Sequence, residues 1–205
     1  MINNVLYIVG GTGTGKTTLA RLLETRGFQW IRSVTTRPKR PGEEDEYRDW
    51  LTPEGFNVYQ NIGLLDYVRE YNTHDETWNY AFFRSDLDFR PYGRYVMIGD
   101  PVSAKRALYE FSNVLILTAS VESVATRLEN RGCSEDFIMQ RLRKDAEDFE
   151  ELYVFARSQM RSGSWLADGP ALVSGRPFGL FIRRSDFVSD IPETIKYIEK
   201  RIPRP

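Results

Sequence analysis

The stretch GGTGTGKT, running from Gly10 to Thr17, satisfies the pattern G-x-x-x-x-G-K-[ST]. It follows the apolar run Val5–Val9, which reads as a buried parallel strand. It precedes Thr17–Arg26, where Leu19, Leu22 and Leu23 form one helical face before Gly27. Strand, glycine-rich turn and helix in that order make a phosphate cradle. The glycines accept positive φ angles and turn successive N–H groups inward, and the helix adds its positive N-terminus. Lys16 supplies a mobile charge for the β- and γ-phosphates of a triphosphate, and the Thr17 hydroxyl is placed to ligate Mg²⁺. The expected nucleotide contacts are Gly11, Thr12, Gly13, Thr14, Gly15, Lys16, Thr17 and Thr18, with Thr17 also the metal ligand.

Outward from the cradle, the strand–helix rhythm continues. Tyr95–Ile98 reads as a buried strand followed by a helix over Val102–Phe111, and Asn113–Leu117 as another followed by Val121–Asn130. Leu180–Ile182 reads as a last strand, and a final helix is expected after Asp190 with Pro192 in its first turn. The alternation predicts an α/β fold, a three-layer P-loop core around a parallel sheet. Two stretches break it. Residues 33–89 are rich in Arg, Glu, Tyr and turn residues, and read as an inserted lobe with a short helix near Pro53–Tyr59. Residues 127–157 are densely charged and helical, with Phe137, Ile138, Leu142 and Phe149 as a sparse apolar stripe. The core is then 1–32, 90–126 and 158–205, within which Ser162–Gly179 has no assignment.

The chain has 205 residues and a net charge of −1, so no global field favours nucleic acid or an anionic membrane, and anion sites must be local. It has one cysteine, Cys133, which reads as a small lid or loop residue. One histidine, His74, reads as a loop residue. No basic leader precedes Val5–Val9, and no run approaches the length of a membrane span, so the expected setting is cytoplasmic.

A second anion site is expected in Ser33–Glu43, S-V-T-T-R-P-K-R-P-G-E. Arg37 and Arg40 sit in a stretch stiffened by Pro38 and Pro41, and guanidinium forks bind phosphate bidentately. On charge alone it equally reads as a solvated basic loop. The segment resembles the monophosphate-binding signature of guanylate kinases, S-x-T-T-R-x-x-R-x-G-E, and with the P-loop before it the match is specific. The resemblance extends more weakly over most of the chain. It implies that Ser33 contacts the acceptor base and that Arg37, Arg40, Tyr47 and Tyr80 grip its phosphate. Gly63-Leu64-Leu65-Asp66-Tyr67 resembles the family's base-reading segment, with Asp66 one methylene shorter than the usual glutamate. Asn79-Tyr80-Ala81 resembles N-Y-Y-G, with Ala81 for glycine. Tyr95–Asp100 resembles a strand ending D-x-D, in which Ile98 replaces the first acid. Asp100 is therefore an acceptor-side or metal-water contact, or else the N-cap of the helix at Pro101. Arg127-Leu128-Glu129-Asn130-Arg131-Gly132 resembles the start of the kinase lid. Arg127 and Arg131 are expected on one helical face, with Arg141 as a third lid arginine.

The resemblance implies ATP with Mg²⁺ as donor, a nucleoside monophosphate (GMP or dGMP) as acceptor, and Lys16, Arg127, Arg131 and Arg141 as the catalytic groups. No general base is required, because the acceptor phosphate is already an anion. Another or modified nucleotide, or a phosphorylated ribose, is an open alternative acceptor, and a non-catalytic protein-binding module is the alternative of another class. The partners are small-molecule nucleotides, with neither nucleic acid nor membrane, and the expected assembly is a monomer or homodimer.

Overall fold

The structure, a computed structural model, describes residues 2–40, 42–72, 76–159, 171–173, 176–184 and 190–204. His74 lies outside these residues, as does much of Ser162–Gly179. In chain order the elements are β1 (Ile2–Gly10), α1 (Lys16–Glu24), β2 (Gln29–Ile31), β3 (Val34–Thr35), β4 (Asp49–Trp50), α2 (Pro53–Asn61), β5 (Leu65–Asn72) and β6 (Thr77–Phe83). There follow β7 (Tyr95–Gly99), α3 (Pro101–Glu110), β8 (Phe111–Thr118), α4 (Val121–Glu129), α5 (Glu135–Gln159), β9 (Ala171–Val173), β10 (Arg176–Arg184) and α6 (Asp190–Arg201). The chain divides into two compact units, Met1–Gln29 with Tyr92–Pro205, and Trp30–Pro91.

The first unit is built on a sheet of order β2-β7-β1-β8-β10-β9. β1 runs parallel to both β7 and β8, and β10 parallel to β8. Buried on both faces, the central strands need continuous apolar sequence, and Val5 to Val9 are all 1% exposed or less. Tyr7 is admitted at the centre of that run because its hydroxyl donates to Ser103 Oγ at 2.8 Å. Its ring passes over Gly99, where a Cβ would lie 1.9 Å from the phenol oxygen. At the far edge β9 pairs antiparallel with β10, a hairpin inside the stretch that sequence left unassigned. It lengthens the expected last strand at both ends and makes the sheet mixed at that edge. On α1 the buried face is Leu19, Ala20 and Leu23, while Leu22 turns outward at 37% exposure. The small Ala20, one position after Leu19, takes the place expected for Leu22.

The second unit carries a four-stranded sheet of order β4-β3-β6-β5. β6 is antiparallel to β3 and to β5. Its own small core joins Val34, Phe56, Leu65 and Ala81, with Leu51, Tyr59 and Phe83 against them. α2 starts at Pro53 because Thr52 caps it, accepting from the Gly55 N–H at 3.1 Å, and Pro at the first helical position has no N–H to lose. Among the described residues, no helix is long and apolar enough to cross a membrane.

Candidate active site

The cradle in the first unit is a loop of backbone. Gly13 and Gly15 hold φ of 76° and 90°, in the left-handed region that disfavours side chains, and Gly15 directly precedes the first turn of α1. Thr14 is buried and closes the turn, its hydroxyl donating to the Gly11 carbonyl at 2.8 Å. Lys16 curls back over the loop and donates to the carbonyls of Gly10 and Gly11, at 2.7 and 2.8 Å. Burial pulls its ammonium down to about 8, with Arg141 and Arg131 adding to the fall and Asp145 opposing it. Thr17 is partly buried and Thr18 exposed on the first turn.

The charged segment closes on this loop with both signs. Arg127 at the end of α4 donates to the Gly13 carbonyl at 2.9 Å. Arg131 is not on the same helical face, because α4 ends at Glu129 and Gly132, at φ 77°, reverses the chain. Arg131 occupies the turn between α4 and α5, and Arg141 lies on α5, over the ring of Phe137 at 5.7 Å. Cys133 is partly buried against the small core of Val124, Leu128 and Ile138 beneath this turn.

Asp145, four residues beyond Arg141, is a contact that the sequence reading missed. Its Oδ2 accepts from the Thr12 N–H at 2.5 Å, so a carboxylate oxygen rests on a cradle amide that would otherwise face phosphate. A Cβ on Gly11 would stand 2.8 Å from that oxygen, so a side chain there would displace the Asp145 carboxylate. The only signal in the sequence was its spacing from Arg141, which places both on one helical face.

Asp100 is engaged as a cap. Its Oδ1 accepts from the Val102 and Ser103 N–H groups at 2.8 and 3.0 Å, and Ser103 Oγ bonds back to complete the capping box. It still contributes to the electrostatic field at Lys16.

The second unit brings together Arg37, Tyr47 and Tyr80. The Arg37 side chain is 4% exposed, unusual for a residue of a basic loop. Its fork is held by Glu43 Oε2 at 2.5 Å and by the Pro38 carbonyl at 3.0 Å. The Tyr47 ring lies 5.4 Å from the guanidinium carbon, and Tyr80 stands 6.2 Å from Tyr47 between ring centres. Burial, with Tyr80 beside it, pushes the Tyr47 phenol up to about 12, so it stays a neutral donor. Trp50 packs edge-on to Tyr47 at 5.5 Å, and Lys39 lies over Trp50 at 4.8 Å. Arg40 is about half exposed and reaches the same Glu43 only at 3.9 Å. Glu43 stood in the quoted signature without a role; it is the counter-ion that aims Arg37. Ser33 begins the strand region and its carbonyl accepts from the Arg48 N–H at 2.8 Å.

Asp66 sits at a bulge in the β5–β6 pairing. Tyr67, the next residue, holds φ of 52°, the one positive φ outside glycine among the described residues. The bulge folds the carboxylate against its own backbone, Oδ1 accepting from the Tyr67 N–H at 2.8 Å, with Arg84 3.9 Å from Oδ2.

Among the described residues no cluster of three or more acid, histidine or cysteine side chains is arranged to hold a metal ion. The partly buried Thr17, on the first turn of α1, carries a hydroxyl oxygen of the kind that suits Mg²⁺ arriving on a nucleotide, which keeps several waters and needs few protein oxygens besides phosphate.

No family model matches the chain. A curated guanylate kinase of Neisseria gonorrhoeae is 30% identical over 165 residues, which are 74% of this chain and 77% of that protein. The chain belongs to the guanylate kinase family. The guanylate kinase of Nitratidesulfovibrio vulgaris is 31% identical over 156 residues, 72% of this chain and 73% of that one. That of Rhodopseudomonas palustris is 31% identical over 146 residues, 67% and 65% of the two chains. The solved guanylate kinase of Anaplasma phagocytophilum aligns over 98% of this chain and 85% of its own, with a TM-score of 0.59 and 17% identity. At that identity it bears on the fold alone. As a member of this family the chain is a nucleoside monophosphate kinase, a phosphotransferase of the α/β P-loop class.

Proposed function

We propose that the enzyme transfers the γ-phosphoryl group of ATP to GMP or dGMP, giving GDP or dGDP. The observation that carries the acceptor half is Arg37, a guanidinium buried in advance of any ligand and aimed by Glu43, with two tyrosines beside it. A surface arginine serves a solvated loop; a buried, oriented one serves an oxyanion. Arg40 adds a mobile second charge, Ser33 and Asp66 read the base, and Asp100 supports the acceptor side from the end of β7. Residues 33–89 act as the acceptor lobe and 127–157 as the lid.

The donor triphosphate takes the cradle amides from Gly11 to Thr18. Thr17 supplies a hydroxyl to Mg²⁺, which when bound neutralises phosphate charge. Lys16, released from the Gly10 and Gly11 carbonyls, follows the terminal phosphates. Arg127, Arg131 and Arg141 stabilise the charge that spreads over the transferring group and exclude water from it. Phosphoryl transfer asks for positioning and neutralisation, and these residues supply both. The small-molecule nucleotides it would use fit a cytoplasmic enzyme.

One observation favours a changed acceptor base. The shorter Asp66 spends Oδ1 on its neighbour's N–H at the bulge, leaving less of the carboxylate for a base edge. A coupled assay over a panel of nucleoside monophosphates tests both readings. Turnover of GMP or dGMP well above the others supports the proposal; both inert while another monophosphate turns over overturns it.

A further inference from the structure

A cavity of about 640 Å³ opens in the first unit, lined by residues that include Arg26, Gly27, Gln29, Tyr92, Arg94 and Arg204. It lies at the opposite end of the parallel strands from the cradle. Asn4 donates to the Gly93 carbonyl beside the cavity, and Gly10 follows six residues along β1, about 20 Å away at the ordinary strand rise. None of these residues serves the reaction described above.

Arg94 is the built part of the site. It is 94% buried, stacked at 4.3 Å over Phe28, and its Nη2 donates to the Arg26 carbonyl beyond the end of α1. Gly27, at φ 85°, makes room for it, since a Cβ there would stand 3.1 Å from Nη2. A helix C-terminus explains a cation at that carbonyl. It does not explain the other edge of the guanidinium, where buried Nη1 has no hydrogen-bond partner among the described residues. Buried donors are almost always paired, so an unpaired one on an arginine that lines a cavity marks where an acceptor belongs. The surrounding charge says which kind. Arg26 and Arg204 add two guanidinium groups, and Glu199, 3.8 Å from Arg26, offsets part of the excess. Burial and the field of Arg204 pull the Arg94 guanidinium below its ordinary value, a cost that a bound anion relieves.

We propose that this cavity is a second anion site that takes a diphosphate, free or carried by a nucleoside, with Arg94 as the oriented fork and Arg26 and Arg204 as mobile counter-charges. The volume is within the range of small-ligand sites. Arg94 and the two exposed arginines divide the work as geometry and charge.

The test must separate this cavity from the cradle and from the acceptor unit, which also bind phosphates. Inorganic pyrophosphate titrated into ¹⁵N-labelled enzyme is read at the Gly27 and Gly93 amides and at the Arg94 side-chain N–H. These signals are expected to saturate in Lys16→Ala as in the wild type. They are expected to need roughly ten-fold more pyrophosphate in Arg26→Ala/Arg204→Ala, and not to respond in Arg94→Gln. The double alanine variant changes exposed side chains, so it keeps the test decisive if Arg94→Gln does not fold. Signals that stay still in the wild type, or that titrate identically in the double variant, overturn the proposal. ADP in the same titration distinguishes the sources: tighter saturation than pyrophosphate means that the nucleoside is held too, and equal saturation means that the diphosphate alone is read.

Discussion

The two phosphate sites proposed for this enzyme are made of different material. The donor cradle is backbone: amide groups oriented by Gly13 and Gly15, with one side chain, Lys16, folded over them. The proposed acceptor site is side chains: Arg37 set by Glu43 and shielded by Tyr47, with Tyr80 behind. Backbone can only be aimed by glycine and turn geometry, so the cradle has few solutions and a strict signature. Side chains can be exchanged, shortened or re-aimed, so the acceptor site can drift within one fold. Asp66, at its bulge, and Ala81 are places where it has done so relative to the pattern it resembles.

The largest effect is expected at the cradle's one charged side chain, Lys16. Lys16→Ala should lower kcat by at least about 10²-fold while the fold survives, since a preorganised charge at a developing oxyanion is worth that much. Unchanged turnover would mean that the backbone alone handles the terminal phosphates. Next comes Arg37→Lys at the acceptor site, expected to raise the acceptor KM by about 10-fold or more and leave the ATP KM alone. An ammonium keeps the charge but loses the fork, so a mild effect would show that charge rather than geometry holds the acceptor.

A smaller effect concerns protons. With its pKa near 8, Lys16 loses its charge above that pH, and ATP affinity should weaken as pH rises through it, by less than tenfold to pH 9. The same shift acts on stability in the opposite sense. The folded value lies below the unfolded one, so the unfolded chain holds more protons between them, and Lys16 adds stability as pH rises through about 8. Calorimetric titration of ATP at several pH values checks the first claim; a pH-independent affinity removes Lys16 as the titrating group. Smallest is Asp145→Ala, which clears the Thr12 N–H of its resident carboxylate. The ATP KM should fall by about threefold, within the worth of one charge-assisted hydrogen bond. A rise would instead make Asp145 part of donor binding.

Much of the core could be read from residues because burial on both faces forces unbroken apolar strands, and Val5–Val9 between a turn and a helix permits little else. The pairing of β9 with β10 was illegible since Ala171–Val173 and the start of β10 lie in a glycine- and serine-rich stretch with no clear period. Arg131 was read onto a helix that Gly132 ends first. Asp145 was lost for another reason: in a segment where charges alternate, most are solvated, and Lys144 with Glu147 at 3.9 Å is such a pair. Which carboxylate turns inward depends on what the helix packs against, and that is a tertiary fact. Burial of Arg37 is likewise set by Tyr47 and Glu43 closing around it, beyond the reach of composition.

The edge-on packing of Trp50 against Tyr47 has a practical side. Trp30, Trp50 and Trp78 all belong to the inserted unit, and the fourth tryptophan, Trp165, lies outside the described residues. The proposed acceptor site thus carries its own emitter, one ring away from the phenol expected to meet phosphate. The cradle has no indole on its loop. Filling one site should change the protein's ultraviolet emission while filling the other leaves that emission nearly unchanged, so the order in which the two nucleotides arrive is written into the light the molecule gives off.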